Sequence, residues 1–332
     1  MQFLPALVVA LFWMPGQEAP VAPAAPPPFD QWRDALVAEA RGRGFSDALI
    51  AEAIATVQPL VRIVDADRHQ AELTLTFERY LATRVTPQVT RRGREIEQQQ
   101  RDLLADIERA YGVQRRFVLA IWGMESRYGR NTGSTPVFQA LATLAWEPRR
   151  ANFFRGQLFD ALTMVSRGNI DVPTMTGSWA GAMGQPQFMP SSYLAYAEDF
   201  DGDGRRDIWR STPDTLASIA NYLKSFGWDS QQTWGREVTI SPQVRRGIEV
   251  PVRTAGCSAM REITERRPLS EWRRLGVRRV DGGPLPEAAI DAGLVDVGRR
   301  SFLVYPNYDT LMRYNCAHHY ALSVAMLAER LR

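Results

Sequence analysis

The segment FVLAIWGMESRYG, Phe117 to Gly129, sets one glutamate at the end of an apolar helical stripe. Phe117, Ile121 and Glu125 are spaced four apart, so they share a helix face, with Val118 and Trp122 beside them. Gly129 reads as the C′ residue that ends the helix, which puts Glu125 in the last turn. Burial and the negative end of the helix dipole both disfavour the carboxylate, so both raise its pKa. A carboxylic acid still protonated near neutral pH can act as a general acid. The same residues also allow a purely structural glutamate, salt-bridged to Arg127 or Arg130.

A second feature is GSWAGAMGQPQFMPSSY, Gly177 to Tyr193. Its glycines remove side chains where a backbone can approach a ligand. Ser178 and Gln187 offer polar contacts, and Trp179, Phe188 and Tyr193 can stack on sugar rings. A tight structural loop packed on the core is the other reading. The third feature is DFDGDGRRD, Asp199 to Asp207, the first half of a D-x-D-x-D-G calcium loop. Asp199, Asp201 and Asp203 would give side-chain oxygens, and Arg205 its backbone carbonyl. Position twelve is Arg210 instead of the usual bidentate Glu, so Asp214 is the nearest substitute. The ion would be structural. A solvated acidic turn is the alternative.

The elements that must place these residues read as helices. Residues 29–112 form a helical region, with Asp30 as an N-cap candidate, Ser46 capping DALIAEAIATV, and a long polar helix through TRRGREIEQQQRDLLADIERAYG. Further helices are expected over about 113–127, 137–145, 151–167, 191–199 and 213–226. From 236 to 306 the short runs EVTI, IEVPVR and RSFLVY between Gly/Pro turns indicate a small, partly β insertion. One helix, about 309–331, then closes the chain. The expected organisation is a leader and linker over 1–28, a helical region over 29–112, a catalytic core over 113–235, the insertion over 236–306 and a completing helix over 307–332.

Composition bounds the partners. The chain has 332 residues and a net charge of +3, with Lys224 as the sole lysine. The arginines are scattered without interleaved aromatics, which argues against nucleic acid as a partner. Three histidines and two cysteines exclude a histidine-rich metal site, a thiolate zinc site and a disulfide-dense scaffold. Cys257 and Cys316 could pair or remain small buried apolar residues. Cys316 and His319 are one helical turn apart, but no oxyanion loop accompanies them as a thiol enzyme requires. The apolar run FLPALVVALFWM fits a signal-peptide core followed by a Pro/Ala-rich linker, so export is expected, without a lipidation cysteine.

Together these segments resemble the membrane-bound lytic transglycosylase B family (glycoside hydrolase family 103), over about residues 75–328. GMESRYG resembles the segment that carries the family's catalytic acid, which implies that role for Glu125. EPRRANFF resembles its arginine-bearing stretch and implies Arg150 near substrate. GSWAGAMGQPQFMPSSY implies substrate contacts for Ser178 and Gln187. DFDGDGRRDIW and DTLASIANY imply calcium ligation by Asp199, Asp201, Asp203, Arg205 and Asp214, although one extra residue separates Trp209 from Asp214. Tyr222, Tyr314, Asn315 and Tyr80 fall on cleft-lining positions of the family.

The resemblance implies a mainly α (α+β), lysozyme-like fold, a periplasmic location and peptidoglycan glycan strands as substrate. It also implies a monomer, with cell-wall synthesis or remodelling proteins as further partners and no organic cofactor. Ordinary glycosidases use two carboxylates. No second acidic residue stands out in the matched motifs, which suits a lytic transglycosylase, where one Glu serves as acid and then base. A lysozyme-like hydrolase and a non-catalytic wall-binding scaffold are the alternatives.

Overall fold

A computed structural model of the chain describes residues 26–68, 75–248 and 250–332. The apolar run of residues 3–14, most of the Pro/Ala-rich stretch, and His69 lie outside the described residues. Among the described residues no helix is long and apolar enough to cross a membrane.

The chain is mainly α with a small antiparallel sheet. Helix starts follow local chemistry. Ser46 accepts a hydrogen bond from the Leu49 amide, and Thr76 and Thr86 do the same for Arg79 and Val89. Asp30 is not an N-cap: the first helix is Phe29–Gly42, Pro28 precedes it, and Asp30 lies in the first turn, 2.8 Å from Arg33. The long polar helix is two pieces, Pro87–Gln99 and Arg101–Tyr111, because Gln100 leaves helical geometry. Both pieces still bury their apolar residues, Ile96 on one and Leu104 and Ile107 on the other. The helix expected over 191–199 stops at Tyr196, because the backbone beyond it turns to side chains of the next helix: the Glu198 amide donates to Ser218 and the Phe200 amide to Asp214.

The closing helix is also two, Pro306–Tyr314 and His318–Arg330. Asn315 and Ala317 are extended between them, and Cys316 in this break is disulfide-bonded to Cys257. The periodic apolar pattern runs through the break, so periodicity alone joins the two pieces.

The sheet has strand order Arg267–Pro268, Asp291–Val297, Arg300–Val304, Gly235–Thr239, Arg278–Arg279. EVTI and RSFLVY fall on strands as expected. IEVPVR forms no described strand, and only Val252 makes an isolated bridge, to Thr264. The strand that the pattern hides is Asp291–Val297. Ala292 and Leu294 face a small core with Trp272 and Leu285, while Val295 and Val297 face the main core. A strand buried on both faces loses the apolar–polar alternation that marks a one-sided strand.

Candidate active site

The helix Arg115–Ser126 is the axis of the main core, and every residue from Phe117 to Met124 is buried. A helix apolar all round must be surrounded by protein. It ends abruptly, because Arg127, Tyr128 and Gly129 take left-handed φ values of 52°, 61° and 80°. The reversal thus starts two residues before the expected Gly129. Ser126 Oγ accepts the Gly129 amide, and the Tyr128 hydroxyl donates to the Val89 carbonyl. Tyr128 folds so close over the helix that a Cβ on Gly123 would lie 2.7 Å from its ring carbon. Only glycine fits there without displacing the ring.

This stop leaves Glu125 half-buried in the last turn, while Arg127 and Arg130 are exposed. Tyr320, from the last helix, donates its hydroxyl to Glu125 Oε1 at 2.5 Å. Burial and the nearby Glu125 charge push the Tyr320 phenol well above its ordinary pKa, so it stays protonated and remains a donor. Sequence reading missed this residue. Its signal is weak: a tyrosine one turn into a helix that otherwise reads as packing.

Aromatic rings spread from this pair. Tyr314 stacks on Tyr320 with centroids 6.3 Å apart, and Tyr222 lies 4.7 Å from Tyr314. Phe188 touches both Tyr222 and Tyr314. Tyr80 is close enough to act on Tyr320, and its ring lies 5.8 Å from His319. The structure therefore brings Glu125, Tyr80, Tyr222 and Tyr314 into one neighbourhood. Two of these tyrosines also fix backbone: Tyr314 donates to the Pro186 carbonyl and Tyr222 to the Arg313 carbonyl, each at 2.7 Å.

The glycine-rich loop packs against this wall through Pro186 and Phe188. Ser178 Oγ accepts the Ala180 and Ala182 amides, and Gln187 donates to the Thr132 and Gly184 carbonyls. Both side chains thus shape the loop. Gln185, passed over in the sequence, is the tie between loop and helix: it accepts the Trp122 indole N–H at 2.9 Å and donates to the Trp209 carbonyl. Asn315 ends the helix Pro306–Tyr314 in extended geometry. Arg150 ends the 3-10 turn Pro148–Arg150, its guanidinium 4.8 Å over the Phe154 ring.

Asp199, Asp201 and Asp203 each place a carboxylate oxygen within 4.8 Å of the others. Ligand oxygens about 2.4 Å from a calcium ion lie at most about 4.8 Å apart, so the three fit one coordination shell. Gly204, at φ +87°, makes the turn between them and Arg205. Asp214 has another task. It is fully buried and accepts the Phe200 and Asp201 amides on one oxygen and the Asp207 amide on the other. Burial raises its pKa, and these amides oppose that shift.

The chain is similar to known proteins in sequence and in structure. Membrane-bound lytic murein transglycosylase B of Escherichia coli (strain K12) is 34% identical over 257 residues, which cover 76% of this chain and 66% of that protein. The chain thus spans just under two thirds of that relative's length. The crystal structure of SltB3 from Pseudomonas aeruginosa in complex with NAG-anhNAM-pentapeptide matches with a TM-score of 0.81 and 41% identity, over 90% of this chain and 78% of that one. The Escherichia coli lytic transglycosylase Slt35 in complex with calcium matches with a TM-score of 0.75 and 29% identity, over 90% and 92% of the two chains. The fold is that of the lysozyme-like lytic transglycosylases. From residue 28 to residue 329 the sequence matches the model of the transglycosylase SLT domain, and the chain belongs to that family.

Proposed function

We propose that this protein is a lytic transglycosylase that cleaves the β-1,4 bond between MurNAc and GlcNAc in peptidoglycan and leaves a 1,6-anhydro-MurNAc end. The observation that carries the reading is Glu125, half-buried at a helix end and clasped by Tyr320, with Tyr314 beside it and Tyr222 and Tyr80 next in the same aromatic cluster. The family relationship supports it, as does a related protein, SltB3, that is seen with an anhydro-sugar pentapeptide.

In this reading Glu125 gives its proton to the glycosidic oxygen. It then takes the proton of the C6 hydroxyl as that oxygen closes on C1. Tyr320 holds the carboxyl in place through both steps, and a fixed geometry of this kind lowers the barrier by several kcal/mol. Ser178, Gln187, Tyr222, Tyr314 and Asn315 orient the N-acetyl group and the sugar rings. Tyr80 and Arg150 extend the contact with the glycan. Aromatic faces suit the apolar C–H faces of sugars.

Asp199, Asp201, Asp203 and the Arg205 carbonyl would hold calcium, as the acidic oxygens and the turn fit it. The ion would brace the loop, with Asp214 clasping the loop's backbone from behind. A periplasmic site of action after removal of the leader accords with the Cys257–Cys316 disulfide, since such bonds persist in oxidising compartments.

Two experiments test this reading. Purified sacculi digested by the protein yield anhydro-MurNAc ends by mass spectrometry, and Glu125→Gln yields none while still binding glycan. Reducing ends in their place would make the protein a hydrolase. Calcium raises the melting temperature, and Asp201→Ala removes the increase; identical melting curves with calcium and with chelator would remove the metal site.

A further inference from the structure

Glu125 lies between two points of its helix end that share one outside partner. Trp122 is one turn before it, and Gly129 is just beyond the helix stop. The Gln185 side chain meets both. Its Oε1 accepts the Trp122 indole N–H at 2.9 Å, and a Cβ on Gly129 would lie 2.4 Å from that same oxygen. Gly129 has φ +80°, so this position needs glycine both for its conformation and for room beside the amide. The turn that carries Glu125 is thus gripped on both sides by one amide group.

The rest of Gln185 is anchored away from the helix. Its Nε2 donates to the Trp209 carbonyl at 3.1 Å, and its backbone N–H donates to the Ile208 carbonyl at 2.8 Å. Both acceptors are themselves held. Asp207 accepts the Trp209 amide, and Asp214 accepts the Asp207 amide. The Thr215 hydroxyl donates to the Ile208 carbonyl, and the Trp209 indole donates to the Thr176 carbonyl. Gly184, at φ +63°, lets the loop pass this close, since a Cβ there would lie 2.7 Å from the Ile208 carbonyl oxygen. Ser178 and Gln187 work differently: the first closes the loop on itself, and the second ties it to Thr132. Gln185 is buried, and a buried amide that loses a partner keeps an unsatisfied group, so the bridge resists slipping at either end.

We propose that Gln185 is a positioning residue for the reaction, one that sets where Glu125 stands by bracing Trp122 and Gly129 against the segment Ile208–Trp209. The proposal rests on the functional reading above and deepens it. Glu125 must meet the glycosidic oxygen in one step and the C6 hydroxyl in the next, so a tilt of its turn harms both. A misplacement of about 1 Å at a reacting group costs up to about a hundredfold in rate. Gln185 acts through Glu125 and not on the glycan, so its loss falls on kcat and not on substrate binding.

Steady-state digestion of purified glycan strands, scored by anhydro-MurNAc ends, tests this with Gln185→Leu and Gln185→Glu, each read well below its melting temperature. Leucine keeps the volume and removes both side-chain bonds. Its kcat falls about 10- to 100-fold, with KM nearly unchanged. Glutamate keeps the acceptor for Trp122, but only its protonated form has an O–H to donate to the Trp209 carbonyl. Burial raises the pKa of such a carboxyl. The kcat of Gln185→Glu relative to the parent therefore rises as pH falls through that raised value, whereas the ratio for Gln185→Leu stays level. A packing role would lower the melting temperature without the kcat loss or the rescue at low pH. If Gln185→Leu does not fold, the rescue in Gln185→Glu decides the matter by itself. Parental kcat in Gln185→Leu, or a Gln185→Glu ratio that ignores pH, overturns the positioning role and leaves the transglycosylase reading intact. If the parent releases no anhydro ends, that reading fails and the positioning role falls with it.

Discussion

The helical body around Glu125 and the sheet insertion are built on opposite terms. The body has one large core wound around the buried helix Arg115–Ser126, and its chemistry comes from where elements stop: a helix end at Glu125, a break at Asn315, a loop at Gln187. The insertion has its own small core around Trp272, Leu285, Leu294 and Leu303, and none of the proposed site residues lies in it. It leans on the body through the other face of its sheet, through the Arg253 and Arg266 pairs with Asp309, and through the Cys257–Cys316 disulfide. Rigidity and the proposed chemistry are thus divided. In the proposed reading the body positions the reacting groups, and the insertion braces the end of the chain from which Tyr314 and Tyr320 project.

That division can be broken on either side. The largest effect falls on activity alone: Glu125→Gln removes cleavage, about a thousandfold or more, with a nearly unchanged melting temperature. Trp272→Ala does the reverse. It empties a fully buried site and removes the indole bond to the Ala292 carbonyl, at a cost of about 3–5 kcal/mol by denaturant titration. If Trp272→Ala melted like the parent, the second core would not be the support described here. Replacing both cysteines by serine costs up to about 4 kcal/mol, the loop-closure value for a 59-residue separation. The same change should lower activity at temperatures where the variant is still folded, because Cys316 sits between Tyr314 and Tyr320. Tyr320→Phe is the smallest change: about 10- to 100-fold in kcat, with an altered pH profile and little effect on melting. A Tyr320→Phe enzyme with parental kcat and pH profile would assign that tyrosine to packing only.

Much of the proposed site is legible in the sequence because its signals are local. Glu125 is marked by helical spacing and a glycine stop, Asp199 to Asp203 by alternation, and Ser178 and Gln187 by a dense loop. What escapes depends on contacts far apart in sequence. Tyr320 meets Glu125 across 195 residues, and Gln185 meets Trp122 across 63. Neither spacing leaves a trace in a local pattern. The break at Asn315 to Ala317 is hidden for a related reason, since the apolar period continues on both sides while the disulfide holds Cys316 out of line. The strand Asp291–Val297 is hidden because two cores claim its two faces, and alternation vanishes.

In the proposed reaction a single glutamate, held by a tyrosine in an aromatic cleft, cuts glycan without water. The most direct measurement is mass spectrometry of sacculi digested in water enriched in oxygen-18. Anhydro-MurNAc ends that carry no label are expected, and their loss in Glu125→Gln. Labelled reducing ends, or undiminished cleavage by Glu125→Gln, would contradict it.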